Sequence, residues 1–268
     1  MANNKTDDKN FGYAKKATTA IWHEEPTIAN PYVASECRLH GYNMLELCKH
    51  KSFAEVLFLL FKGELPNPQQ SELLEALLVA FINPGPRHPA TRAAMTAGIS
   101  KTNTPHILPI GLMVLGGQKN GSADVEQTMH FIKKHHDSPI DDFIEQNPMA
   151  PLPDDGQDWA PYPGVGSTYA DIDPFTLDLA NHFASLEGSA KSFLWLQQLI
   201  DKIDHPQVGW RSTGLFAAIL LDLGIPAREG NALFQLISAP GLAAHGLEQT
   251  HKPIASMPFL DDNQYVLK

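Results

Sequence analysis

The feature that most constrains this chain is a recurring pair, a small polar residue followed by proline ahead of an apolar run. Asn67-Pro68, Thr104-Pro105 and Asp173-Pro174 all have this form. The polar side chain can accept an orphan backbone N–H at a helix start, and proline is pre-shaped for the first helical position. Ser52-Phe-Ala-Glu55 adds a capping box, in which side chain and backbone satisfy each other reciprocally. After it Phe53, Val56, Leu57, Leu60 and Phe61 recur at helical spacing until Gly63 and Pro66 stop the helix. Leu73, Leu74, Leu77, Leu78 and Phe81 form the inner stripe of the next helix.

The same reading carries on to the C-terminus. The helix from Thr104 ends at Gly116-Gly117, and Ser122 caps another whose first turn holds Asp124 and Glu126. Acids there face the positive end of the helix dipole. Leu177, Ala180, Phe183 and Ala184 continue the helix from Asp173, and Phe193, Leu196, Leu199 and Ile200 mark another. Thr213 to Leu223 is nearly all apolar and reads as a buried central helix. Pro226 starts the next helix, and Pro240-Gly241 is expected to separate it from the last. Residues 148 to 163 carry Pro148, Pro151, Pro153, Pro161 and Pro163, and read as a long loop. No strand-like alternation stands out, so the expected fold class is all-α.

Composition narrows the partners. With 43% hydrophobic and 19% charged residues in a chain of 268, a packed core of one large or two modest domains is expected. A net charge of −10 repels phosphate backbones and argues against nucleic acid. Arg87, Arg92 and Lys119 could still supply local positive charge. The apolar run Gly214 to Leu221 is far short of the roughly 20 residues of a membrane span. Met1 to Asn10 holds no apolar signal segment, so a cytoplasmic location is expected. Cys37 and Cys48 form no C-x-x-C motif and read as reduced, mostly buried thiols.

Few residues carry chemistry by spacing alone. His130, His135, His136 and Asp137 cluster near a helix end, but the gaps from His130 are five and six. Ligation from one helix face needs gaps of about three or four, so no metal site is expected. Gly164-Val-Gly166-Ser167 reads as a tight turn rather than a dinucleotide fingerprint. Gly116-Gly117-Gln-Lys-Asn120-Gly121 joins two helices, and its backbone N–H groups could face a cavity and meet an anion or carbonyl oxygen. Arg87-His88, after Asn83-Pro84-Gly85-Pro86, could meet a carboxylate.

Five blocks in order resemble the citrate synthase superfamily. They are His40-Gly-Tyr-Asn-Met-Leu-Glu-Leu47 with Ser52 to Pro66; Gly85-Pro-Arg-His-Pro-Ala-Thr-Arg-Ala-Ala94 with Leu115 to Ala123; Pro163-Gly-Val-Gly-Ser167 with Asp173-Pro174; Thr213 to Pro226; and Pro240-Gly-Leu-Ala-Ala-His-Gly-Leu-Glu-Gln249. The tail Met257 to Leu267 is similar to the end of the citryl-CoA lyase part of ATP-citrate lyase. The resemblance implies a citrate synthase-like, two-domain helical protein. It would have a flexible arm over 1–20, a large domain over 21–121 and 213–268, and a small domain over 122–212 that includes the loop 148–163. It further implies a homodimer or pairing with a paralogue, with an acyl-CoA thioester and an oxoacid as ligands and no other cofactor.

The resemblance also locates what is missing. The family's two histidines and its carboxylate base fall at Asn120, Ser167 and Thr213, so all three catalytic positions are substituted. The histidine before the family's "G-P" turn becomes Pro84, and an arginine becomes Ser238. Arg87, His88, Arg211 and Ser238 are the expected substrate-binding positions. A threonine hydroxyl cannot replace a carboxylate, and loss of a general base costs around 10²- to 10⁴-fold. Asp171, Asp173, His88 and His205 are candidate replacements. The function implied is C–C bond formation or cleavage next to a CoA thioester with a non-standard site. The alternatives are a non-catalytic, CoA-binding regulatory or structural subunit, and a helical scaffold.

Overall fold

The computed structural model describes residues 17–154, 158–258 and 260–266. The expected arm falls largely outside them, at residues 1–16. The described residues divide into two compact units, meeting in sequence at Leu65 and Pro66.

In the first unit, β1 (Trp22–Pro26), β2 (Ala34–Leu39) and β3 (Tyr42–Asn43) form an antiparallel sheet in the order β1-β2-β3. Helices α1 (Met44–His50) and α2 (Phe53–Lys62) follow. The capping box at Ser52 and Glu55 is present, and Gly63 ends α2 in the left-handed conformation. Leu39, Leu47 and Leu59 pack together with Met44, Val56 and Leu65. The buried residues of α2 are Ala54, Leu57, Phe58 and Leu59, while Phe53 is 77% exposed. Both cysteines are free, Cys48 is exposed and Cys37 half-buried, which corrects the expectation of mostly buried thiols.

The second unit is built of α3 (Pro68–Ala80), α4 (Pro89–Ile99), α5 (Thr104–Leu115), α6 (Ser122–His135), α7 (Ile140–Gln146), β4 (Asp158–Tyr162), β5 (Val165–Thr168), α8 (Pro174–Ala184), α9 (Lys191–Lys202), β6 (Gly209–Trp210), α10 (Ser212–Asp222) and α11 (Ala227–Gln249). The mostly helical architecture is as the caps predict. Asn67 caps α3 and forms a second capping box with Gln70, and Asp173 caps α8. Helix α10 is the buried centre, with every residue from Thr213 to Leu220 inside. It packs on α6 and α9, while α11 packs on α4, α5 and α6. Phe81, Phe216 and Phe234 meet edge-on or tilted, with Phe81 and Phe216 rings 5.0 Å apart.

Several expectations are corrected. Two small sheets occur, and β4-β5-β6 draws its first strand from the proline-rich segment read as loop. β4 lies at the sheet's edge, where Pro161 can sit without breaking an internal ladder. Helix α11 runs through Pro240 rather than ending there. Its neighbour Gly241 sends its N–H to Ile82 O at 3.0 Å, so a tertiary contact takes a group that the helix releases. Ser122 opens α6 but does not cap it; its hydroxyl accepts Gln235 Nε2 instead. Ala190 lacks a cap of its own at α9, and the carboxylate of Asp222, at the end of α10, accepts the N–H groups of Ala190, Ser192 and Phe193.

Two backbone approaches set the helix arrangement. A Cβ on Gly98 of α4 would lie 2.0 Å from Gly246 O of α11, so the two helices touch backbone to backbone. A Cβ on Gly214 would lie 2.0 Å from Gly164 O, which seats the β4–β5 hairpin turn on the first turn of α10. Overpacking of this kind costs up to about 3 kcal/mol. Gly98→Ala should therefore lower the thermal midpoint by roughly 5–10 °C. An unchanged midpoint in a calorimetric scan would show that α4 and α11 do not meet there.

Candidate functional site

The site is assembled at the head of α10. A cleft of about 480 Å³ opens in the second unit, lined by Arg87 and His88 before α4, Asn120 in the turn before α6, Gly166 and Thr168 of β5, and the loop Tyr169–Pro174. Trp210, Arg211 and Ser212 close its floor. The Asn120 turn is tight for a local reason. Asn120 adopts a left-handed φ of 54°, which asparagine tolerates, and a Cβ on Gly121 would strike Gly117 O at 2.3 Å.

Arg211 ties these segments together. Its Nη2 donates to Asn120 Oδ1 at 2.8 Å, and its Nη1 to Asp158 Oδ1 at 2.9 Å and Ser167 O at 3.4 Å. The guanidinium is buried, with Nε unpartnered. Lys119 Nζ lies 3.3 Å from the other Asp158 oxygen. His88 Nδ1 accepts the Ala90 N–H at 3.1 Å, which leaves the ring proton on Nε2, donated to Asn120 O at 3.0 Å. Asn120 is thus held through both its carbonyls, and its amide Nδ2 remains able to donate into the cleft.

Behind this turn stands a residue that the sequence reading did not single out. Asp124 Oδ2 accepts the Thr213 hydroxyl at 2.8 Å. Burial pushes the Asp124 carboxyl above its usual range, and repulsion from Asp158 adds to this. The Thr213 hydroxyl, the Arg211 charge and the Asn120 N–H oppose it. Asp158 goes the other way. Partial burial raises its carboxyl, but Arg211 and then Lys119 outweigh that and hold it below the ordinary range. The only sequence signal for Asp124 was its place in the first turn of a helix, which reads as dipole chemistry. Asp158 lay in the proline-rich segment and had no signal at all.

The expected residues fare unequally. Arg87, His88, Asn120 and Arg211 come together in the cleft. Ser167 and Thr213 lie beside it but are buried; the cleft is lined by Gly166 and Thr168, the neighbours of Ser167. The Ser167 hydroxyl is buried without a partner. Ser238 is inside α11, 3.4 Å from Phe81 O, and does not line the cleft, because α11 continues through Pro240. Asp171 lines the cleft; Asp173 does too, but its two oxygens take the Phe175 N–H and the Thr176 hydroxyl. His205 packs edge-on against Trp159 and is not a lining residue. His135 packs against Phe131 and Phe143, and among the described residues no group of three His, Cys, Asp or Glu is placed to hold a metal ion.

No family model matches the chain, and no curated protein does. Solved structures do match. Citryl-CoA lyase from Hydrogenobacter thermophilus superposes with a TM-score of 0.74 at 25% identity, covering 94% of each chain. ATP citrate lyase from Methanothrix soehngenii, in complex with citrate and coenzyme A, gives 0.69 at 15% identity, and the match covers 96% of this chain and 44% of that one. Citrate synthase from Thermotoga maritima gives 0.52 at 13%, covering 97% and 96%. The fold is that of the citrate synthases. Within that superfamily the likeness to citryl-CoA lyase is the one that spans nearly all of both chains at 25% identity.

The two carboxylates predict opposite pH responses. Asp158 binds its proton more weakly folded than unfolded, so it stabilises above the ordinary carboxylate range, and this is lost as pH falls through its lowered pKa. Asp158→Asn should cost roughly 2–3 kcal/mol near neutral pH, because it strands part of a buried guanidinium. Asp124 holds its proton more tightly folded, so its ionisation weakens the fold as pH rises toward its raised pKa. Asp124→Asn should be more stable than the parent at neutral pH, with the gap closing in acid. Urea unfolding at a series of pH values checks both; same-signed changes at neutral pH would contradict the site as described.

Proposed function

We propose that this protein acts on an acyl-CoA thioester and an oxoacid, making or breaking the C–C bond between them as citryl-CoA lyases do, through a rebuilt set of polar groups. The observation that carries the reading is the convergence of the Asn120 turn, strand β5 and the head of α10 on one cleft. These are the three segments to which the resemblance assigns the chemistry. The likeness to citryl-CoA lyase over 94% of both chains supports it.

The cleft's own groups suit this work. Charge that develops on a thioester oxygen can be met by the Asn120 amide, and such a donor contributes several kcal/mol to a rate. Arg87 is exposed among the lining residues, and Arg211 also lines the cleft with one Nη2 N–H uncommitted, while its unpartnered Nε is buried. Guanidinium groups pair with carboxylates in two-pronged fashion, so these are the proposed seats for the oxoacid. His88 positions the Asn120 turn through its carbonyl.

A second reading has one observation of its own. Ser167 and Thr213, two of the three substituted family positions, are shut away from the cleft. That favours a subunit that binds CoA without turning it over. Calorimetric titration with CoA and acetyl-CoA, followed by assay of citryl-CoA cleavage and of its reversal, separates the two. Micromolar binding with turnover is expected; binding alone would favour the second reading, and no affinity into the millimolar range would remove both. Arg87 makes no contact on which the fold depends, so Arg87→Ala should leave stability alone and weaken oxoacid affinity by about tenfold or more.

A further inference from the structure

We infer that Asp171 is the catalytic base of this site, held at the cleft by the turn from Thr168 to Asp171. The inference rests on the proposed function, and its test is arranged so that the two fail separately.

The case starts from the groups that can reach a ligand. Among the described residues lining the cleft, His88, Asp171 and Asp173 carry a site that can accept a proton at neutral pH. His88 has none to spare, because its Nδ1 accepts the Ala90 N–H and its Nε2 donates to Asn120 O. Asp173 spends one oxygen on the Phe175 N–H and the other on the Thr176 hydroxyl, both within the first turn of α8. Asp171 differs from it by one oxygen. Its Oδ1 takes the Ile172 N–H at 2.8 Å, and its Oδ2 has no partner among the described residues. The residue is exposed and lines the cleft, so that oxygen is open to a bound molecule.

The backbone that carries this acid is built against local preference. Tyr169 and Ala170 both adopt a left-handed φ, of 57° and 64°. Two left-handed residues in succession suit a tight hairpin turn, where asparagine and glycine are the usual occupants and a larger side chain is costly. Thr168 and Asp171 close the turn, exchanging backbone hydrogen bonds at 3.2 and 3.4 Å. Gln207 Nε2 donates to Ala170 O at 3.0 Å from outside it. On the other side of Asp171, Ile172 is seated on β6, where a Cβ on Gly209 would lie 2.8 Å from Ile172 Cγ2. Strain of this kind persists only where surrounding contacts enforce it, and it gathers at active sites. What it fixes here is the place of a carboxylate with a free oxygen. The Asn120 amide belongs to the same lining, so donor and base can meet one ligand.

The step balances simply. The Asp171 carboxylate takes a proton from the carbon next to the thioester carbonyl, and the C–H electron pair becomes the C=C bond of the enolate. The carbonyl π pair moves to oxygen, where the Asn120 amide donates. In the opposite direction the Asp171 carboxyl returns that proton to carbon.

The test follows exchange of the acetyl-CoA methyl protons into heavy water by NMR, alongside calorimetric binding of acetyl-CoA. Asp171→Asn keeps an acceptor for the Ile172 N–H, so affinity should stay while exchange falls by about 10²-fold or more. Acetate added to Asp171→Ala should restore part of the exchange, a rescue that a purely structural role would not show. Gln207→Ala loosens the turn, and should lower exchange at saturating acetyl-CoA with the affinity unchanged. Parent-like exchange in Asp171→Asn would overturn the inference, as would loss of binding and exchange together in that variant, or a parent that binds acetyl-CoA without exchanging its protons. A parent protein that binds no acetyl-CoA would instead fell the proposed function, and this inference with it.

Discussion

A buried guanidinium is the interaction on which the rest of the site depends. An arginine charge out of water is costly unless several acceptors surround it. Here the acceptors come from three separate segments: the Asn120 side chain before α6, the Ser167 carbonyl on β5 and the Asp158 carboxylate on β4. One side chain therefore fixes the distance between a helix–helix turn and a two-strand hairpin. The close contact of Gly164 with Gly214 holds the same hairpin against α10 from the other side. The cleft is the space these constraints leave in front of them.

The two acids near Arg211 show how environment divides labour between identical side chains. Asp158 faces two cations, and its charge stabilises the fold. Asp124 faces a hydroxyl and a backbone N–H inside the protein, and its charge is held at a cost. Desolvation of a carboxylate works against its ionised form at such a position.

Much of the helical framework was legible in the chain, because its signals are local. Ser52, Asn67 and Asp173 cap the helices they precede, and Gly63 ends α2. The apolar run from Thr213 is buried as its composition demands. The misreadings came where a distant contact replaces a local one. Pro240 sits inside α11 because the Gly241 N–H finds Ile82 O, and α9 starts without a cap of its own because Asp222 reaches it from α10. β4 was hidden by prolines that an edge strand tolerates.

For the site the division is sharper. The sequence by itself determined which side chains are present: arginine at 211, asparagine at 120, and no acid or histidine at 120, 167 or 213. It also determined that helices begin beside them. Only the tertiary structure decided that Arg211 meets partners 44, 53 and 91 residues away, and that Asp124 reaches Thr213 across 89. The physical reason is range. A cap or a stripe is settled within a turn or two of its own helix, whereas the surroundings of a charge are settled by whichever segments the packing of α6, α10 and the β4–β5 hairpin brings around it.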